Sequence, residues 1–166
     1  MTTPRWTLRL AKQDFKFSAA HFTLFGPLEA EPLHGHNYRV VVELEGVELD
    51  GEGLLLDTSI VKLRVRELCA ELDDRVLLPE RSPHLAVETA DGAVDCRYGE
   101  RRYRFPAKEV LLLPLANVSM ELLARLFWGR LAADLGSRGV AALSVEVEET
   151  SGQSCRYSAS LSFIGG

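Results

Sequence analysis

No stretch of this sequence is apolar for long enough to cross a bilayer, and Pro4, Arg5, Thr7 and Arg9 interrupt the apolar residues near its start. Neither a transmembrane helix nor the hydrophobic region of a signal peptide is readable, which points to a cytoplasmic protein. Cysteine is scarce. Cys69, Cys96 and Cys155 are an odd number at wide, unrelated spacings, which fits neither a disulfide framework nor a cysteine metal site and leaves reduced, buried thiols as the expectation. Basic charge is not in excess either: the formal net charge is -5 and the 19 Lys and Arg residues are scattered. A nucleic-acid partner is therefore not expected. Repeats, low-complexity tracts and linkers are lacking too. What remains is an ordinary globular composition, 46% hydrophobic and 26% charged over 166 residues, suited to one domain spanning 1–166 that buries roughly 70% of its unfolded surface.

The apolar residues keep mostly to a period of two. From Trp6 to Leu10 the inward face has even parity, whereas Phe15, Phe17, Ala19 and His21 have odd parity, so a strand with a bulge near Ala11 to Asp14 is predicted. Tyr38, Val40, Val42 and Leu44 alternate with Arg39, Glu43 and Glu45 in a second strand that begins at His34 and His36. Leu143, Val145, Val147 and Glu149, then Cys155, Tyr157, Ala159, Leu161 and Phe163, give two more. Two segments have helical spacing. One follows the cap candidates Asp57, Thr58 and Ser59 with Val61, Val65, Leu68 and Leu72. The other follows Ser119 with Leu123, Leu126, Phe127, Leu131 and Leu135, and Gly136 stands where a left-handed terminator belongs. Between them, residues 80–113 carry Asp91-Gly92 flanked by Leu85, Val87 and by Val94, Cys96, Tyr98, the signal of an inserted hairpin or small meander. The order is strand, strand, helix, insertion, helix, strand, strand. This predicts an α+β fold with an antiparallel sheet, two helices on one face, and an edge to hide by oligomerisation.

Three of the four histidines lie within sixteen residues. His34 and His36 share a strand face across Gly35, and His21 ends the inward face of the neighbouring strand. Three imidazoles around an open fourth position suit a zinc ion acting as a Lewis acid on substrate oxygen. The competing reading, hydrogen-bonded core histidines, suits the His34–His36 pair alone and suits the full set less well. Glu149 extends an apolar face, where a carboxylate needs a partner. A planar heterocycle with two parallel N–H donors, such as a pterin or guanine, would supply one; an arginine or an exposed strand end would also satisfy it. Ser119 and Glu121 read most simply as a helix N-cap and a first-turn acid.

Taken in order, Phe17-Ser18-Ala19-Ala20-His21, Leu33-His34-Gly35-His36-Asn37-Tyr38, Leu56-Asp57, Leu72-Asp73, Ser119-Met120-Glu121 and Glu149-Thr150 resemble the 6-pyruvoyl- and 6-carboxy-tetrahydropterin synthase family. The resemblance covers nearly the whole chain apart from residues 80–113. It implies the tunnelling fold (T-fold), with ββααββ subunits in trimers that stack into a homo-hexamer and active sites between subunits. It also implies Zn2+ on His21, His34 and His36, a pterin anchored by Glu149, and support from Ser119 and Glu121.

Two departures bear on the reaction. Family members that make pyruvoyl or carboxy products use a cysteine shortly before the HGH motif and an Asp-His pair after the first helix. Here no cysteine lies between His21 and His34, and the pair reads Asp73-Asp74. Glu31 stands three residues before His34, a spacing at which some members carry glutamate, and these resemble enzymes that cleave dihydroneopterin triphosphate to 6-hydroxymethyl-dihydropterin. The resemblance thus implies a zinc-dependent lyase with Glu31 as base, given a pKa raised by burial, and Asp73 or Asp74 as relay. The alternatives are a 6-carboxy-tetrahydropterin synthase of deazapurine (queuosine-type) biosynthesis and a catalytically silent pterin-binding homologue.

Overall fold

The parity switch after Leu10 marks the place where the first strand breaks. In the computed structural model, which describes residues 4–135 and 138–161, β1 (Trp6–Leu10) and β2 (Lys16–His21) pair one after the other with the single long strand β3 (His34–Gly46). Leu10 faces Val42 and Lys16 faces Arg39, so residues 11–15 stand opposite only Val40 and Val41. An odd surplus inverts which parity points inward, as the bulge reading requires. Phe15 stays close to the ladder, because its carbonyl accepts the Val40 N–H at 2.9 Å.

α1 (Thr58–Leu72) starts where the Asp57 carboxylate accepts the Ser59 N–H at 2.9 Å. Its stripe of Val61, Val65, Leu68, Cys69 and Leu72 is buried. Cys96 is buried as well, and Cys155 is half-buried; all three thiols are free. α2 (Met120–Leu135) starts where Ser119 Oγ accepts the Leu122 N–H at 3.3 Å, and it buries Leu123, Ala124, Phe127, Leu131 and Leu135. The terminator expected at Gly136 lies outside the described residues. Both helices pack with the inward residues of β2, β3 and β9 (Ala142–Thr150) into one core that includes Phe17, Tyr38, Val42, Leu44, Val145 and Val147. β10 (Gln153–Ser160) runs antiparallel to β9, and Cys155, Tyr157 and Ala159 alternate with more exposed residues as expected.

The insertion is larger than a hairpin and partly joins the main sheet. β4 (Arg75–Pro79) pairs in parallel with β2, and β8 (Val110–Leu113) pairs in parallel with β4, giving the order β10-β9-β3-β2-β4-β8 with β1 also on β3. The sheet is therefore mixed rather than purely antiparallel. Between β4 and β8, β5 (Ala86–Ala90), β6 (Ala93–Tyr98) and β7 (Arg101–Pro106) form a separate three-stranded antiparallel sheet. Its first turn has positive φ at both Asp91 (51°) and Gly92 (73°), the geometry that Asp-Gly favours in tight hairpins. Val94, Cys96 and Tyr98 of β6 form a second buried cluster with Phe22, Leu24, Ala30, Leu78 and Leu85. The small sheet thus packs on the loop between β2 and β3.

Candidate functional site

The antiparallel register sets His21, the last residue of β2, directly opposite His34, the first of β3. The period of two places His36 and Tyr38 on the same inward side. Val147 of β9 faces Val40 of β3, so Glu149, two residues further along, arrives beside Tyr38. The Tyr38 hydroxyl donates to Glu149 Oε1 at 3.2 Å. One ligand atom from each of His21, His34, His36 and Glu149 lies within 4.8 Å of the others. Four groups remote in sequence converge at one end of the sheet.

Two main-chain carbonyls decide how the imidazoles present themselves. His21 Nδ1 lies 3.0 Å from the Val118 carbonyl, and His34 Nδ1 lies 2.7 Å from the Pro32 carbonyl. A carbonyl only accepts, so each Nδ1 carries a proton, and the tautomer that this selects turns a bare Nε2 toward the cluster. His21 Nε2 is buried and has no hydrogen-bond partner among the described residues. Glu149 Oε1 stands 2.9 Å from it, and a carboxylate oxygen facing an unprotonated nitrogen is a repulsive contact rather than a hydrogen bond; the same oxygen lies 3.3 Å from His36 Nε2. Burial holds His21 below the usual imidazole range, against the opposing pull of Val118 and Glu149, so protonation at neutral pH does not relieve it. A cation does. Three imidazole nitrogens are the donor set of a divalent metal site with an open fourth position, and His21, His34 and His36 can hold such an ion beside Glu149.

Glu31 reaches the same place from the loop before β3. Its Oε2 accepts the Thr23 N–H at 3.0 Å and lies 3.9 Å from His34 Nε2. Burial pushes its pKa up, but the hydrogen bonding at Thr23 outweighs burial and holds it below the usual carboxylate range. The raised pKa expected of a buried base is therefore not found, and Glu31 is an ionised acceptor. None of the remaining candidates has a hydrogen bond or ion pair to the cluster side chains among the described residues. Asp73 Oδ1 accepts the Ser18 N–H at 2.7 Å, which ties the end of α1 to β2. Asp74 has a positive φ of 55° and lines a groove with His36, Asn37 and Arg75. Ser119 caps α2. Glu121 is exposed on the first turn of α2, and its charge helps to raise the pKa of Cys155 after burial.

Tyr38, Asn117 and Val118 were not among the candidates from the sequence. Tyr38 shares the parity of His34 and His36 and was legible on that ground. Val118 acts through its carbonyl, which no side-chain pattern reports. Asn117 accepts the Leu24 N–H at 3.1 Å and donates to the Leu24 carbonyl at 2.9 Å, a role that depends on which loop packs beside it.

The family model for 6-pyruvoyl tetrahydropterin synthase matches residues 10–160. The chain belongs to the 6-pyruvoyl tetrahydropterin synthase family. A protein of Methanocaldococcus jannaschii named "putative 6-carboxy-5,6,7,8-tetrahydropterin synthase" is 32% identical over 145 residues, covering 86% of this chain and 88% of its own. The structure of 6-pyruvoyl tetrahydropterin synthase from Plasmodium vivax superposes with a TM-score of 0.88 at 28% identity, covering 95% of this chain and 99% of the other. Two further structures of that Plasmodium protein carry alanine or cysteine in place of a glutamate described as a catalytic residue. The α+β architecture found here is the family's T-fold. Membership makes the protein a pterin enzyme of the lyase type at the level of class.

Proposed function

We propose that this protein is a zinc-dependent lyase that cleaves the side chain of dihydroneopterin triphosphate to give 6-hydroxymethyl-dihydropterin. The observation that carries the reading is the 3.9 Å approach of Glu31 Oε2 to His34 Nε2, in a loop that brings a carboxylate and no thiol to the cluster. His21, His34 and His36 would hold the ion, and bound zinc supplies Lewis-acid polarisation of a side-chain oxygen. Glu149, oriented by the Tyr38 hydroxyl, accepts the paired N–H donors of the pterin ring. Glu31 removes the proton from the hydroxyl on the second side-chain carbon. The bond between the first and second carbons then breaks, its electron pair passes into the ring's C=N system, and reprotonation at the first carbon leaves a hydroxymethyl group. The departing carbon becomes an aldehyde. This retro-aldol path asks for one base, whereas rearrangement to a pyruvoyl group asks for further proton transfers that a thiol would serve. The glutamate described as a catalytic residue of the Plasmodium vivax relative supports a carboxylate in this role. Asp74, in the groove with His36, is the candidate relay, and Asp73 is already engaged by Ser18.

The name of the Methanocaldococcus relative favours a second reading, 6-carboxy-tetrahydropterin synthesis. One incubation separates them. Zinc-loaded protein is mixed with dihydroneopterin triphosphate and the pterins are resolved chromatographically. Hydroxymethyl-dihydropterin is expected, and Glu31→Ala should slow its formation about 100-fold or more. A carboxy-tetrahydropterin product would establish the second reading instead, and tight pterin binding without turnover would make the protein a silent homologue.

A further inference from the structure

The small sheet formed by β5, β6 and β7 grips the loop that carries Glu31. Tyr98 and Arg101 face each other across the register of β6 and β7, on either side of the two-residue turn Gly99-Glu100. The Tyr98 hydroxyl lies 2.6 Å from the Gly26 carbonyl and 2.8 Å from the Glu29 carbonyl. Arg101 donates from Nη1 to the Glu31 carbonyl at 2.7 Å and from Nη2 to the Ala30 carbonyl at 3.1 Å. Arg101 thus takes two carbonyls of a six-residue stretch, and the single Tyr98 hydroxyl proton is shared between two more. Arg101 has no carboxylate partner among the described residues, so its charge serves this loop alone.

The far side of the loop is also held. Asn117 closes two hydrogen bonds on Leu24, and Glu31 and Thr23 exchange two more, from the Glu31 N–H to the Thr23 carbonyl and from the Thr23 N–H to Glu31 Oε2. Beneath it, Phe22, Leu24 and Ala30 pack on Val94, Cys96 and Tyr98, and the rings of Phe22 and Tyr103 stack at 5.5 Å. Fixing a backbone costs conformational entropy. Catalysis gains from that order only if the loop carries a group whose position matters.

We propose that the inserted sheet is a clamp that sets the position of the Glu31 carboxylate at the histidine cluster, with Arg101 and Tyr98 as positioning residues. The inference rests on Glu31 acting in the reaction proposed above. A displacement of about 1 Å at a reacting group can cost about 100-fold in rate, so loosening the clamp should lower kcat and leave KM, which reflects ring binding at Glu149, within about twofold.

The test uses Arg101→Ala, Tyr98→Phe and Arg101→Lys in the full chain. Amide hydrogen exchange at Thr23, Phe25 and Glu31 should quicken at least tenfold in Arg101→Ala, while the β3 amides of Val40 and Val42 hold their protection. Lysine offers one donor direction in place of a fork, so Arg101→Lys should recover part of the loss. In turnover, Arg101→Ala should lower kcat about tenfold or more and should cost nothing further in a Glu31→Gln background. Unchanged exchange at Thr23 and Glu31 in both Arg101→Ala and Tyr98→Phe would overturn the clamp. An equal loss of kcat with and without Glu31 would overturn its action through that residue. Exchange needs no substrate, so the clamp can stand or fall separately from the reaction. Should Arg101→Ala not fold, Tyr98→Phe and Arg101→Lys each remove part of the grip and carry the same readings.

Discussion

At the scale of single residues the centre depends on which atoms face one another. His34 and His36 bring imidazole nitrogens to a cluster that also contains the orphaned Nε2 of His21, so either substitution to alanine leaves two imidazoles, too few to retain an ion. Elemental analysis of zinc-exposed protein should find about one equivalent per chain in the parent and less than about a tenth in His34→Ala or His36→Ala. Glu149 is nearly buried and receives the Tyr38 hydroxyl. Replacing it by alanine removes a charged acceptor for two ring donors and should weaken neopterin binding by about 2 kcal/mol or more, read by calorimetry. Tyr38→Phe removes only the orienting bond and should cost about 1 kcal/mol. An unchanged affinity in Glu149→Ala would remove the residue from the ring's binding site.

At the scale of elements, α1 offers a pH test free of metal chemistry. The Ser59 N–H, donating to Asp57, lowers the carboxylate's pKa from 3.8 in the folded state. A group with a depressed folded pKa stabilises the fold above its unfolded pKa, and this contribution fades as the pH drops through the folded value. Asp57→Ala should therefore melt below the parent at pH 7, and the two melting temperatures should converge as the pH falls below 3.8.

The elements also differ in how well the sequence announces them. α1 and α2 have a polar cap followed by an apolar stripe, and β3 and β9 have strict alternation, so their faces were readable. β4 and β8 were not. Val76-Leu77-Leu78 and Leu111-Leu112-Leu113 are short continuous apolar runs, because strands sandwiched in a parallel pairing bury both faces and show no period. The site divides in the same way. His21, His34, His36 and Glu149 were found by parity. The conformation that brings Glu31 beside His34 depends on Arg101 and Tyr98, seventy residues away along the chain, and such a contact leaves no local signature.

For the whole molecule the unsatisfied feature is the sheet's perimeter. β10 and β8 end the strand order, and along their outer sides an extended backbone has donors and acceptors that another chain can pair. The candidate centre sits at one end of this sheet, with His34, His36 and Glu31 part-exposed. A homo-hexamer built as a dimer of trimers would cover both edges and close the centre. Light scattering should give the mass of six chains, or of three if the trimers separate. A monomer at micromolar concentration would exclude a shared active site.

The division of the described interior into two apolar clusters predicts two thermal thresholds. The smaller one joins the inserted sheet to the loop between β2 and β3, and the main helices lie outside it, so it can open as a cooperative unit of its own below the free energy of global unfolding. Such an opening releases Glu31 while β3 keeps His34 and His36 on their strand. On heating, turnover should then disappear before the helical circular dichroism does, with zinc still bound in the interval, and on cooling it should return without any refolding of the larger core.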